Sequence, residues 1–209
     1  LAGLFLGRIA NFINGELLGK IVAMPGEPAP WWAVKYPQEF LDGHDCAALM
    51  THQQAQEREL AIEGIIHRAG YTGDVVEGYK RVLEKIQAGN VELARELEPW
   101  ISARHPSQFY QAAAEGLVVG GVLWILWKNP RKPGVIGCVF LILYGALRIV
   151  TELYRLPDAH LQVQRVLGLS RGQWLSVGMI AAGLITLVIV SRRNVPKLGG
   201  WGQKRTVAA

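Results

Sequence analysis

The sequence predicts an all-α fold, a polytopic membrane helical bundle with an extracytoplasmic helical insertion, and three observations lead there. Three apolar stretches of 17–19 residues, none containing proline, fall in the C-terminal half. Half of the 209 residues are hydrophobic and only 19% are charged, below the quarter usual in a soluble domain. Charge is also segregated: residues 25–104 carry 13 acidic and 8 basic side chains, and the remainder carries 14 basic and 4 acidic. An acidic middle between basic, apolar ends reads as a soluble domain held between membrane segments. The net charge of +5 therefore points to no nucleic-acid partner. No Gly-rich phosphate loop or zinc-type cysteine spacing is present.

Residues 1–24 read as the end of a transmembrane helix. Leu1–Leu18 is apolar, and Asn14-Gly15 is a turn signal that breaks the helix. The chain begins at Leu1 without Met and without a signal-peptide pattern, so it is expected to be truncated at its N-terminus.

Residues 25–104 form the expected extracytoplasmic head. Met24-Pro25-Gly26-Glu27-Pro28 and Pro30 end the apolar run. Helical spacing of apolar residues then predicts amphipathic helices over Gln54–Arg68 and Asp74–Leu97. Gly70-Tyr71-Thr72-Gly73 separates them and Pro99 ends the second. Cys46 lies in this polar middle and Cys138 in an apolar run, so both are expected to be unpaired and structural or incidental.

Residues 105–194 supply three transmembrane helices, at about Phe109–Trp127, Gly134–Thr151 and Trp174–Val190, each at the short end of what spans a bilayer. The loop Lys128–Pro133 has three basic residues, and the tail has Arg192, Arg193, Lys197, Lys204 and Arg205. The positive-inside rule puts both in the cytoplasm. Residues 25–104 and 155–171 then face outward, and 195–209 form a basic cytoplasmic tail.

Chemistry is expected where polar groups occur at membrane depth. Arg148 is costly there and needs a partner. Tyr144, Arg148, Glu152 and Arg155 share one helical stripe. Arg148 either pairs with Glu152 near the interface or is held by Tyr144 and Glu152 and aimed at an anionic head group. Gly7-Arg8-Ile9-Ala10-Asn11-Phe12-Ile13-Asn14-Gly15-Glu16-Leu17-Leu18-Gly19 sets four polar side chains in apolar chain, either a structural network or a lipid head-group site. In Arg104-His105-Pro106-Ser107-Gln108-Phe109-Tyr110, Ser107 is a plausible helix N-cap. Glu115 is a carboxylate in search of a cation, and Gly116-x-x-x-Gly120 suits helix packing.

The stretch Gly7–Gly19 resembles the signature of the prolipoprotein diacylglyceryl transferases. Arg104–Tyr110, Tyr144–Arg148, Glu152, Arg155 and Pro157-Asp158-Ala159 are similar to the same family in the same order. The resemblance covers about residues 1–22 and 100–193, while 25–99 is longer than the head expected there. It implies transfer of the diacylglyceryl group of phosphatidylglycerol to the lipobox cysteine thiol of prolipoproteins, with release of glycerol phosphate. Arg8 and Arg148 become the catalytic phosphate-binding pair. Asn11, Asn14, Glu16 and Gly19 shape the substrate site, with Tyr144 and Glu152 orienting Arg148. The family's histidine base, in a His-Gly-Gly motif, is absent from this chain, which leaves His105 as a candidate at the substrate site. No cofactor or metal is implied. The expected partners are phosphatidylglycerol, lipobox peptides and membrane lipid, in the bacterial cytoplasmic (inner) membrane.

Two other classes are open. A lipid-binding homologue without transfer activity differs from the enzyme in lacking an upstream His-Gly-Gly segment. A transporter or channel predicts inverted repeats, and the sequence shows none.

Overall fold

The computed structural model describes residues 1–41, 45–156 and 168–201. Helix α1 spans Ala2–Ile13, followed by the short strands β1 (Ile21–Ala23) and β2 (Val34–Lys35). Helices α2 (His52–Arg68), α3 (Val75–Gln87) and α4 (Val91–Leu97) lead to strand β3 (Ala103–Arg104). Three long helices complete the chain: α5 (Ser107–Trp127), α6 (Val135–Glu152) and α7 (Arg171–Arg192). They make up two compact units, one of α1 with α5–α7, the other of the elements between Leu18 and Pro106.

In the first unit, α5, α6 and α7 are long and apolar enough to cross a membrane. Leu117, Trp124 and Ile125 of α5 and Leu184, Ile185 and Val188 of α7 are exposed. Such continuous outward apolar surface requires an apolar solvent rather than water. Small residues let the helix backbones approach. A Cβ added to Gly145 of α6 would lie 2.8 Å from the Ser176 carbonyl oxygen, and one on Gly183 of α7 3.1 Å from that of Cys138. Gly116 of α5 is likewise covered by Phe5 of α1, whose Cβ a new methyl group would meet at 2.6 Å. This is small-residue packing, the way membrane helices associate without a hydrophobic drive. Within α5, Ala112–Val118 forms a π-helical stretch. Helix α1 stops where Asn14-Gly15 predicts: Asn14 caps it and Gly15 takes φ +70°.

The second unit has its own apolar core. Ile62, Ile65 and Ile66 of α2 meet Tyr79, Val82 and Leu83 of α3, Leu93 and Leu97 of α4, and Ile101. Helix α2 opens with a Thr51–Gln54 capping box, and the Asp74 side chain accepts from the Glu77 amide to start α3. The continuous helix expected over Asp74–Leu97 is divided. Gly89 takes φ +101°, and the Asn90 side chain accepts from the Leu93 amide to start α4 anew. Local capping chemistry outweighs the periodicity there. Antiparallel pairing places β3 between β1 and β2.

Beneath β3, Glu39 is completely buried. Its carboxylate accepts from Arg104 Nε at 2.9 Å, Arg58 Nη2 at 3.2 Å, the Ser102 amide at 3.0 Å and the Ser102 hydroxyl. Cys46 lies against the same carboxylate, and burial first, then Glu39, pushes its thiol up to about 12. Both cysteines are buried and free, as their settings in the sequence suggest. The positions expected in the outward loop and the basic tail lie in large part outside the described residues.

Candidate phosphate site in the membrane helices

Arg8 projects from α1 five residues before that helix ends, and Arg148 from α6 one turn before its end. Between them stands Glu115, in the π-helical stretch of α5 and completely buried. Arg8 donates through Nε (3.2 Å) and Nη2 (3.0 Å) to Glu115 Oε2. Arg148 Nη1 donates to Oε1 of the same carboxylate at 3.3 Å. The side chains of Arg8 and Arg148 keep 14% and 21% exposure. Among the described residues, Glu115 is the only acidic ion-pair partner of either, so the cluster carries two positive charges against one negative.

Three helices are needed for this arrangement. The widened π turn is a local departure from α geometry of the kind often found at functional sites. Partial exposure leaves guanidinium donors on the open side, and Arg148 uses only one nitrogen on Glu115. A tetrahedral oxyanion matches those donors in charge and fork geometry.

The other sequence-predicted residues fall into three groups. Asn14 Nδ2 donates to Glu16 Oε1 at 3.5 Å at the exposed end of α1, and Asn11 is half-buried one turn earlier. Tyr144 stacks on Phe140, their ring centres 5.5 Å apart. Glu152 is turned to the Ser170 hydroxyl, 3.1 Å away, and packs within 3.2 Å of where a Cβ on Gly172 would stand. Arg148 therefore takes its carboxylate from α5 and not from its own stripe. Glu115 outcompetes Glu152 because it is fully buried and faces two cations, so it has the most to gain from pairing.

Gly19 and His105 belong to the second unit. The His105 amide donates to the Lys20 carbonyl at 3.0 Å, and its ring stacks on Trp32 with centres 5.0 Å apart. Burial, then the charge of Lys20, pulls the His105 pKa below its ordinary value, so the ring is neutral near pH 7. Gly19 carries no side chain because His105 leaves no room for one: its backbone carbonyl fills the position of a Cβ.

Ser107 does not act as the expected N-cap. Its hydroxyl donates to the Leu17 carbonyl at 2.8 Å, and the Gln108 side chain donates to the Glu16 carbonyl. Both serve the carbonyls left over where α1 unwinds, a demand that the sequence near Ser107 does not reveal. Sequence reasoning did not single out Gln111, which is buried on this same helix.

Glu39, Asp45 and Cys46 lie close enough to share a metal ion. Two guanidiniums already occupy the Glu39 carboxylate and a third contact fixes Asp45 to Arg58 at 2.6 Å. The thiol is held protonated. Such a donor set suits an ion-pair network rather than a cation.

Known proteins similar to this chain share one family. The family model described as prolipoprotein diacylglyceryl transferase matches residues 1–189. A phosphatidylglycerol–prolipoprotein diacylglyceryl transferase of Bdellovibrio bacteriovorus is 38% identical over 98% of this chain and 60% of its own length. Proteins of the same name from Burkholderia thailandensis and Paraburkholderia phymatum are 37% and 38% identical, over 92% of this chain and 52% of their own lengths. The chain thus spans between half and three-fifths of the curated relatives it matches. With a match that covers nine-tenths of its length and runs through both arginine-bearing helices, the chain belongs to the prolipoprotein diacylglyceryl transferase family.

Proposed function

We propose that the protein of which this chain is part transfers the diacylglyceryl group of phosphatidylglycerol to the cysteine thiol of prolipoprotein lipobox peptides, releasing glycerol phosphate. The sharing of Glu115 by Arg8 and Arg148 carries this reading. One carboxylate fixes two guanidiniums among apolar helices and leaves one positive charge to be met by an anionic head group.

The reaction makes a carbon–sulfur bond and breaks a carbon–oxygen bond. The thiolate sulfur attacks the terminal glycerol carbon of the diacylglyceryl group. The electron pair of the breaking bond passes to the phosphate oxygen, and glycerol phosphate leaves. The thiol proton must depart first, since the thiolate is the nucleophile. Negative charge grows on the phosphate as the bond breaks, and fixed guanidiniums in a dry site stabilise that charge without reorganising. Arg8 and Arg148 hold the phosphate, and Glu115 keeps both forks in place.

Orientation follows the charges. The helical segment 25–104 and the 155–171 region face outward from the bacterial inner membrane, and the basic C-terminal tail is cytoplasmic.

The test uses membranes carrying the full-length protein, with phosphatidylglycerol and a lipobox peptide. Glycerol phosphate release and a matching mass gain on the peptide cysteine are the expected result, at least about 100-fold weaker in Arg148→Lys, which keeps the charge but loses the fork. Bound phosphatidylglycerol without release would point to a lipid-binding homogue without transferase activity. Wild-type rates in Arg148→Lys would remove that residue from the phosphate site.

A further inference from the structure

Gln111 ends the first α-helical segment of α5, immediately before the π-helical stretch that carries Glu115. It is completely buried. Among the described residues, neither its Oε1 nor its Nε2 has a hydrogen-bond partner. Buried amides are nearly always hydrogen-bonded, because an unmet one forfeits its hydration and receives nothing in return. An apolar residue would fill the same space without that loss.

Its placement is set by its neighbours. Ser107, Gln111 and Glu115 follow one another at four-residue spacing and share a face of the helix. The Ser107 end of that face is fastened to the Leu17 carbonyl beyond the end of α1. The Glu115 end is fastened to Arg8 and Arg148. Gln111 therefore lies on the face turned toward α1, one turn of helix from the paired arginines.

Chemical matching indicates what satisfies it. A phosphate oxygen accepts only, and an ammonium group donates only. A hydroxyl does both, as a carboxamide does. The arginines already supply donors for a phosphate. The unmatched group beside them, with one acceptor and two donor hydrogens, fits the alcohol esterified to that phosphate. We propose that Gln111 contacts a hydroxyl of the lipid head group, accepting from it at Oε1 and donating to it from Nε2, and so selects a polyol head group over one without hydroxyls. This assignment rests on the transferase reading above.

The experiment measures kcat/KM of the full-length protein with phosphatidylglycerol and with phosphatidylpropanol, whose head group has no hydroxyl, using one lipobox peptide. The wild-type protein is expected to prefer phosphatidylglycerol by about 10- to 100-fold, the scale on which an unpaired buried polar group discriminates. In Gln111→Leu the preference should fall toward unity, chiefly through KM for phosphatidylglycerol, with the melting temperature held or raised. A wild-type preference that survives in the folded Gln111→Leu protein would overturn the assignment while leaving the transferase reading intact. So would a lowered melting temperature with the preference unchanged, which would make Gln111 a packing residue. Equal wild-type use of the two lipids would overturn it as well. Absence of transfer from both lipids by the wild-type protein would instead overturn the transferase reading, and this assignment with it.

Discussion

Arg8 and Arg148, separated by 140 positions in the chain, are joined through the two oxygens of one carboxylate, with Oε2 of Glu115 at 3.0 Å from the first and Oε1 at 3.3 Å from the second. Neither arginine is paired within its own helix. A fully buried acid thus holds two partly exposed bases, and the cluster is one negative charge short of neutrality.

Glu115→Gln should show what this bridge contributes. Losing one member of a buried ion pair costs about 3–5 kcal/mol, and the partial exposure of both guanidiniums places the expected loss nearer 2–3. Thermal unfolding in detergent would register it as a clear drop in melting temperature. Transfer activity should fall with it, since both forks lose their anchor. A wild-type melting temperature would show that the two arginines are held by other groups.

Gly19→Ala should yield little folded protein. The added methyl group would collide with the His105 carbonyl and come within 2.9 Å of its Cβ. Both belong to chain that is held by the Lys20–His105 backbone hydrogen bond, so neither side yields cheaply. Expression level and monodispersity in detergent are the readout. Normal yield and activity in Gly19→Ala would mean that this segment can open by more than an ångström without harm.

His105 should give the fold a pH dependence of definite sign. Its folded pKa lies below the ordinary 6.5, first through burial and then through Lys20. The unfolded chain therefore binds the proton more tightly than the folded one. Stability is intact above about pH 6.5 and declines as the pH falls through that value. Melting curves between pH 5 and pH 8 should show this decline in the wild-type protein and a shallower one in His105→Gln. Identical profiles would place the source of any acid lability elsewhere.

Cys46 should be inert toward thiol reagents. With its pKa raised from 9.0 to about 12, the thiolate population near pH 8 falls by about a thousandfold, and labelling with it. A Cys138→Ser background leaves Cys46 as the sole thiol of residues 1–209, and a peptide-resolved mass-spectrometric labelling time course follows it. Rapid labelling in the absence of denaturant would contradict a closed Glu39–Arg58–Arg104 network around it.

The sequence by itself determined the three long apolar helices and the family. Three runs free of proline, with hydrophobic residues on every side, can only be satisfied in apolar solvent, and their ends are found within three residues of where hydropathy places them. The break after Asn14 and the family motif through Gly7–Gly19 were equally legible, because each depends on neighbours in the chain. The partners across helices were not. The stripe Tyr144–Arg148–Glu152 offers Arg148 a carboxylate one turn away, yet the structure pairs it with Glu115, 33 positions distant. Only tertiary packing decides which acid is the more deeply buried, and the deeper one claims the cation. The same holds for Glu39, an unremarkable acid in a polar segment that becomes the buried centre of two arginines. It holds for Gln111 too, whose buried amide is conspicuous only once α1 and α5 lie against each other. Periodicity reports which face of a helix is hidden; only the fold reports what it is hidden against.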